Sequence, residues 1–351
     1  GGEIWVPGIS WDISEVFGDE FSEPDPMYDG SLFHVSISGS DNNDGSIDNP
    51  FSSIQFAYDR ADEHDTILVH PGVYNDDIWF YGKNVVLGSL YLSTGDTSFI
   101  SSTIIDGDST DCTIAIYGNI DSTCRVTGFT IQNGIGCVYG QGAGIYVESA
   151  SPKLDNLIIK NNIGGTNGGG ICLNGNSNSL IDKVVIKNNS ADTGGGLYSF
   201  NSNPVITNSV IQNNHSNNGA GIFLELCSPN FENVSITDNN AISSGGGIYC
   251  GLTSYPVLNH VTISNNSASS AGGILSTQNS QPIFSNSILW NDSPEEIVSH
   301  PDSITIVYSN IQGGWQGAGN INQDPLFCMA EYGDYSLAEN SPCLESGEDG
   351  V

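Results

Sequence analysis

The chain has 351 residues, 38% of them hydrophobic, with 43 glycines, and it carries 40 acidic against 7 basic residues for a formal net charge of −33. That length can bury a sizeable core, whereas the charge repels nucleic acid, anionic membranes and polyanionic sugars and favours neutral or cationic partners. The Gly-, Asn- and Ser-rich composition argues against long helices, and no apolar run reaches the ~20 residues needed to cross a bilayer.

Residues 1–32 form an aromatic, acidic N-terminal extension that carries Trp5, Trp11, Phe17, Phe21 and Tyr28. It is too aromatic for a disordered tail and is expected to pack back along the chain or to dock on a neighbouring subunit. The opening Gly-Gly-Glu, with no basic and apolar leader, reads as a processed, mature start. Residues 33–123 are expected to hold an N-terminal cap and irregular first coils. Ile54, Ala57, Tyr58 and Ala61 recur at helical spacing behind a Ser cap, which predicts a short amphipathic helix within 52–62 closing one end of a core. Asp65–Tyr74 and Lys83–Gly88 read as strands.

Residues 124–312 are dominated by an internal repeat. A Gly-rich tripeptide followed by an aliphatic residue recurs at Ile145, Ile171, Leu197, Ile222, Ile248 and Ile274, at intervals of 26, 26, 25, 26 and 26 residues. A second element follows each copy, from Pro152, Ser179, Pro204, Pro229, Pro256 and Pro282. Its apolar positions, Leu154, Leu157 and Ile159 in the first copy, fit two short strands separated by a bend. Each unit closes on an Asn pair such as Asn161-Asn162 or Asn188-Asn189. Asn tolerates left-handed backbone and its amide can bond the Asn of the next coil, so a stacked ladder accounts for the pairs without an active site. Units of this size with a short strand on each of three sides, stacked at ~4.8 Å per coil, make an all-β, single-stranded, right-handed parallel β-helix. Residues 313–351, with Asp324-Pro-Leu-Phe327, Gly333-Asp-Tyr-Ser-Leu337 and Ser341-Pro-Cys-Leu344, read as a C-terminal cap.

The eight cysteines show no CxxC or CxxCH grouping, which argues against zinc or haem and suits a disulfide-permissive compartment. The pairs Cys328–Cys343 and Cys112–Cys124 close short loops and are the candidate disulfides; Cys172 and Cys250 fall in strands, where a small apolar role is expected.

Together these stretches resemble the secreted bacterial right-handed β-helix proteins of the pectate-lyase-like superfamily. The resemblance is carried by Val35-Ser-Ile-Ser-Gly-Ser-Asp-Asn-Asn-Asp-Gly45, Asn49-Pro-Phe-Ser-Ser-Ile-Gln55, Asp65-Thr-Ile-Leu-Val-His-Pro-Gly-Val-Tyr74, the GGGIY-type repeats, Ser287-Ile-Leu-Trp-Asn291, Asn322-Gln-Asp-Pro-Leu-Phe327 and Ser341-Pro-Cys343. It implies the fold over residues 33–346, in a group that mixes lyases, hydrolases, adhesins and surface proteins. Members with pectate-lyase or polygalacturonase activity are expected to show a catalytic Arg or Lys beside calcium-binding carboxylates, or Asn-Thr-Asp, Asp-Asp, His-Gly and Arg-x-Lys motifs. None of those hydrolase motifs is present, and Arg60 and Arg125, the two arginines, sit in no matching context.

Two candidate sites come from aligning the coils, and a third from an acidic loop that precedes them. Asp155 and Asp182 fall in one column on adjacent coils, and an outward pair would stand ~5 Å apart, a spacing that serves retaining glycosidases and calcium sites alike. Lys153, Lys160, Lys183 and Lys187 lie around them; solvated ion pairs on one face are the competing explanation. Glu148 and Glu225 share another column, too far apart to act as acid and base on one bond. The column Tyr146, Cys172, Tyr198, Phe223, Tyr249 and Leu275 is expected to face outward as an aromatic contact surface, open to sugars or proteins unless a loop covers it. Asp41, Asp44 and Asp48 cluster around Gly45 and can hold calcium, the one ion the sequence makes room for, with a plain Asx-rich turn as the alternative.

The reading that results is a non-catalytic, extracellular or cell-surface protein acting through its surface in adhesion, contact with neutral glycans, or assembly with copies of itself or other surface proteins. The alternative is a polysaccharide lyase or glycoside hydrolase centred on Asp155 and Asp182 with Lys160, Lys183 and Lys187.

Overall fold

The computed structural model describes residues 31–137, 140–299, 303–344 and 346–348; the N-terminal extension, with Trp5 and Trp11, lies outside the described residues. The chain winds into a parallel β-helix. Sheet B stacks nine strands, Ile78–Tyr81, Ile114–Tyr117, Ile145–Glu148, Ile171–Asn174, Leu197–Phe200, Ile222–Glu225, Ile248–Gly251, Ile274–Ser276 and Ile297–Ser299, one per coil. Sheet A includes the longer strands Lys153–Lys160, Leu180–Lys187, Val205–Gln212, Asn230–Thr237 and Val257–Ser264, and the small sheet C is Ser190–Thr193, His215–Asn218 and Asn240–Ser244. The register follows the repeat: Ile145 pairs with Ile171, then Leu197, Ile222, Ile248 and Ile274.

The expected pair of short strands is one eight-residue strand with a bend in it. Asn156, Lys183, Asn208, Asn233 and His260 occupy the bend with φ of 52, 52, 49, 54 and 51°. A single left-handed residue breaks the strict alternation, so Leu154, Leu157 and Ile159 all point inward and are fully buried. Each such side chain contributes about 1.5–3 kcal/mol of apolar burial, and the stack repeats this in every coil.

The Asn pairs divide their work. The first member, at Asn161, Asn188, Asn213 and Asn265, takes the left-handed turn, with φ between 54 and 58°. The second forms a ladder in which the backbone N–H of Asn162, Asn189, Asn214 and Asn239 donates to the Oδ1 of the Asn one coil on, at 3.0, 3.0, 3.0 and 2.9 Å. The glycine run has two separate causes. Gly194 sits at φ +65°, and a Cβ on Gly196 would stand 2.6 Å from the Gly221 carbonyl oxygen and 3.0 Å from Asn214 Nδ2, so the coils can stack only without side chains there.

Among the described residues three α-helices flank the solenoid. Helix α1 (Ile54–Arg60) covers the N-terminal end with buried Ile54, Ala57 and Tyr58, and Ser53 caps it by accepting from the Phe56 N–H. Asp76 adds a second cap, accepting from the backbone N–H of Ile54 at 2.8 Å and of Gln55 at 3.3 Å. Helices α2 (Tyr91–Thr94) and α3 (Ser98–Ser102) were not expected; Ile100 and Tyr91 lie over Ile158, Val185 and Val210, the outward column of sheet A. At the other end Trp315 packs against the core. The hairpin Phe327–Met329 with Asp334–Leu337 folds back so that the buried Tyr335 donates to Asp238 Oδ2 at 3.1 Å.

Candidate functional site

The Asp155 and Asp182 column is where the register places it, in direct pairing, but the two carboxylates are already occupied. Asp155 is 1% exposed. It accepts from Arg125 Nε at 2.7 Å and Nη2 at 2.6 Å, from Thr127 Oγ1 at 3.0 Å and from Asn156 Nδ2 at 2.6 Å. Asp182 accepts from Thr207 Oγ1 at 2.6 Å and Asn208 Nδ2 at 2.8 Å, both on the next coil. The pattern continues to Glu232, which takes Asn259 Nδ2 at 2.9 Å and lies 2.9 Å from His260 Nδ1. The column bonds from coil to coil, Asp155 with Arg125 and Thr127 on the coil before it and Asp182 and Glu232 with the coil after, and it corrects the expectation of an open acid pair: Arg125 encloses Asp155.

The lysines do not complete such a site. Lys183 takes the left-handed bend position. Lys160 and Lys187 are register partners five residues further along the strand, and burial, then the neighbouring Lys160, lowers the Lys187 pKa. Among the described residues Arg125 pairs with Asp155 and His260 with Glu232, and neither pair involves a lysine.

The three carboxylates of the candidate calcium loop do not converge. Asp41 Oδ1 accepts from the Ser52 N–H and hydroxyl, both at 2.9 Å, and from the Ser53 N–H at 3.1 Å. Asp44 Oδ1 accepts from the Ser46 N–H at 3.0 Å, an Asx turn, and bonding from the Ser46 side chain and then from that N–H lowers its pKa. Asp48 is exposed. Among the described residues the one cluster of three metal-type side chains is Asp111, Cys112 and Cys137, and its two sulfurs are joined in a disulfide.

That disulfide is itself a correction. Cys112 bonds Cys137, with Cα atoms 4.7 Å apart, and not Cys124, which is a buried free thiol; Cys328 and Cys343 are also free. The two cysteines are 25 residues apart in a coil whose sheet B strands are offset by 31, Ile114 pairing with Ile145, so the bond joins neighbouring coils within an irregular turn that the repeat does not reach.

The aromatic column is the remaining candidate. Trp79, Ala115, Tyr146, Cys172, Tyr198, Phe223, Tyr249 and Leu275 lie in one register line on the outward face of sheet B. Two residues along each strand, a second line adds Tyr81, Tyr117, Glu148, Asn174, Phe200 and Glu225. Tyr146, Tyr198 and Phe223 face outward as expected yet are only 3, 8 and 7% exposed. Their roots lie under the left-handed glycines: a Cβ on Gly142, Gly194 or Gly219 would meet their Cβ atoms at 2.7, 2.8 and 2.9 Å. Phe223 also stacks on Tyr198 and Tyr249, with centroids 5.5 and 4.5 Å away.

The open part of the column is its N-terminal end. Tyr81 is 58% exposed, and Trp79, Tyr81 and Tyr117 hold parallel planes, within 13° of one another at centroid separations of 5.4–6.2 Å. Among the described residues sheet B begins with the strand of Trp79 and Tyr81, and no further described strand of that sheet stacks on it. Acids line the face. Tyr146 Oη donates to Glu148 at 3.1 Å and Tyr198 Oη to Glu225 at 3.4 Å. Burial raises the pKa of Glu225, and at Asp77 burial raises it first with Asp111, Asp76 and Asp108 adding to it. The disulfide belongs to the same cluster of packed side chains. The sequence reading found the middle of this column from the repeat and missed its exposed end, because Trp79, Tyr81 and Tyr117 precede the regular copies.

No curated protein matches the chain in sequence. Among solved structures it is similar to pectate lyase Pel9A, at 12% identity and a TM-score of 0.55 over 91% of this chain and 92% of that one. It is also similar to XylC in complex with xylose (11% identity, TM-score 0.45, 84 and 86% covered) and to the pectin methylesterase from Aspergillus niger (16%, 0.43, 90 and 98%). At these identities the likeness is one of fold. Residues 88–259 match the family described as a right handed beta helix region, and the fold is accordingly a right-handed parallel β-helix of about eight turns with about 26 residues each.

Proposed function

We propose that the chain is a non-catalytic extracellular β-helix that acts through its surface, and that its contact surface for neutral glycans is the open end of the aromatic face of sheet B. The observation that carries this is the set of three parallel, partly exposed rings, Trp79, Tyr81 and Tyr117. Parallel, partly exposed ring planes offer a flat apolar surface to the C–H face of a sugar ring. Carboxylates at Asp111 and Glu148, whose charges act on the Tyr117 hydroxyl, supply hydrogen-bond acceptors for hydroxyl groups beside it. The same carboxylates, in a chain of net charge −33, oppose a uronate or sulfated chain, so the sugar acted on by pectate lyase Pel9A is not the one this face favours. The disulfide beside the rings supports an oxidising compartment.

Assembly with a second copy has one observation in its favour: Leu180, Val205, Val257 and Ile283, 37–44% exposed, share one outward register line on sheet A that Asn230 interrupts. A lyase or hydrolase reading has less support, since Asp155 is enclosed by its donors.

Titration of neutral and uronate oligosaccharides into the wild-type chain and Tyr81→Ala tests the proposal. Neutral oligosaccharide binding that falls at least about tenfold in the variant, a loss of ~1.4 kcal/mol, is expected. Equal binding by the variant, or a preference for uronates, would sink it.

A further inference from the structure

The asparagine ladder ends on two carboxyl groups. Up to Asn266 each member also donates its side-chain Nδ2 to the Oδ1 of the next, at 3.0–3.1 Å, and to a carbonyl of the preceding coil, as from Asn266 to the Ile236 oxygen at 2.9 Å. Asn266 donates its N–H at 2.6 Å and its Nδ2 at 2.9 Å to Asp292 Oδ1. The Asp292 N–H then donates to Glu296 Oε1 at 3.0 Å. Glu296 therefore stands where the Oδ1 of a further Asn would be.

Asp292 Oδ2 takes the place of the missing amide nitrogen. A Cβ on Gly247 would meet Asn266 Nδ2 at 3.2 Å, and one on Gly273 would meet Asp292 Oδ2 at 2.8 Å. Asp292 is 7% and Glu296 9% exposed. Asp292 Oδ2 and Glu296 Oε2 have no donor among the described residues. Two enclosed neighbouring carboxylates do not both stay ionised, and among the described residues no third His, Cys, Asp or Glu side chain joins them as a metal ligand. What the geometry lacks is one hydrogen.

We propose that Asp292 and Glu296 bind a single proton between them, that it replaces the amide hydrogen of the ladder's missing member, and that its release as pH rises loosens the coil after Asp292. Burial raises both carboxyls, with Glu296 adding to the rise at Asp292. The other groups facing the pair are neutral Asn266 on the preceding coil, exposed Glu295 beside it in the chain, and Tyr335 of the C-terminal hairpin, which also faces Asp238. With folded values above unfolded ones, the stabilisation is complete below the ordinary carboxylate range and is lost as pH rises through the folded values.

Carboxyl carbon NMR of the full chain, followed from mild acid to mild alkali, tests this directly. A neutral carboxyl signal at Asp292 or Glu296 that persists at neutral pH is expected. Amide exchange at Asn266 and Asp292, corrected for base catalysis, should accelerate about tenfold for each pH unit between the ordinary carboxylate range and the folded values, level off above them, and stay flat in Asp292→Asn, where the amide supplies the hydrogen permanently. Glu296→Gln should flatten it in the same way. Two ionised carboxylates at neutral pH, or the same acceleration in both variants, would overturn the proposal, as would recovery of protection in alkali on adding calcium.

Discussion

The outward faces of sheets A and B belong to the same coils and are finished in opposite ways. On sheet A the side chains are consumed by the fold: the bend column bonds from coil to coil through Asp155, Asp182 and Glu232, and Ile158, Val185 and Val210 lie under Ile100 and Tyr91. On sheet B the rings stack on one another and end in an exposed group at Trp79, Tyr81 and Tyr117. Polar groups that point outward on a solenoid are not thereby available to a ligand. They are available when neither the next coil nor a covering segment has satisfied them.

The comparison breaks most sharply at Asp155. Replacing it with Ala removes the carboxylate that Arg125 pairs with at a nearly enclosed site, and the expected loss is about 3–5 kcal/mol, measured by urea unfolding. A loss below about 1 kcal/mol would mean that the pair is solvated and that the sheet A column is open after all. Glycan binding should survive this change when measured below the unfolding transition.

Removing the Cys112–Cys137 disulfide by paired Ser substitutions tests the other face. The bond spans 25 residues and its loss should cost about 2–4 kcal/mol. Because both sulfurs pack with the aromatic cluster, binding to the rings should weaken as well, and a stability loss without any change in binding would separate the disulfide from the face.

The smallest effect is expected at Asp238, which burial raises and which accepts from Tyr335. Its raised value makes the folded state most favoured in acid, with that contribution lost as pH rises through the folded value. Asp238→Asn should therefore flatten part of the decline in Tm between mild acid and neutral pH. An unchanged decline would place the acid stabilisation elsewhere, with Glu225 and Asp77 as the next residues to replace.

Much of this architecture was legible in the chain. A repeat of near-constant length exposes every column at once, so Leu154, Leu157 and Ile159, the ladder asparagines and the Tyr146 to Tyr249 line were all readable from spacing. Helix α1 was readable from Ile54, Ala57 and Tyr58 behind Ser53. Helices α2 and α3 were not, since two short turns carry too little periodicity to separate from a loop.

Partner choice was the harder matter. Arg125 stands 30 residues from Asp155, a diagonal reach across the register that no column alignment shows, and it changes Asp155 from an outward candidate acid into a buried acceptor. Local spacing determined the coil, its inward face and its turns, because these depend on backbone geometry that recurs at every step. Which outward groups are satisfied, covered or left open was decided by tertiary structure, because each depends on the side chain one coil away and on segments that fold back from outside the repeat.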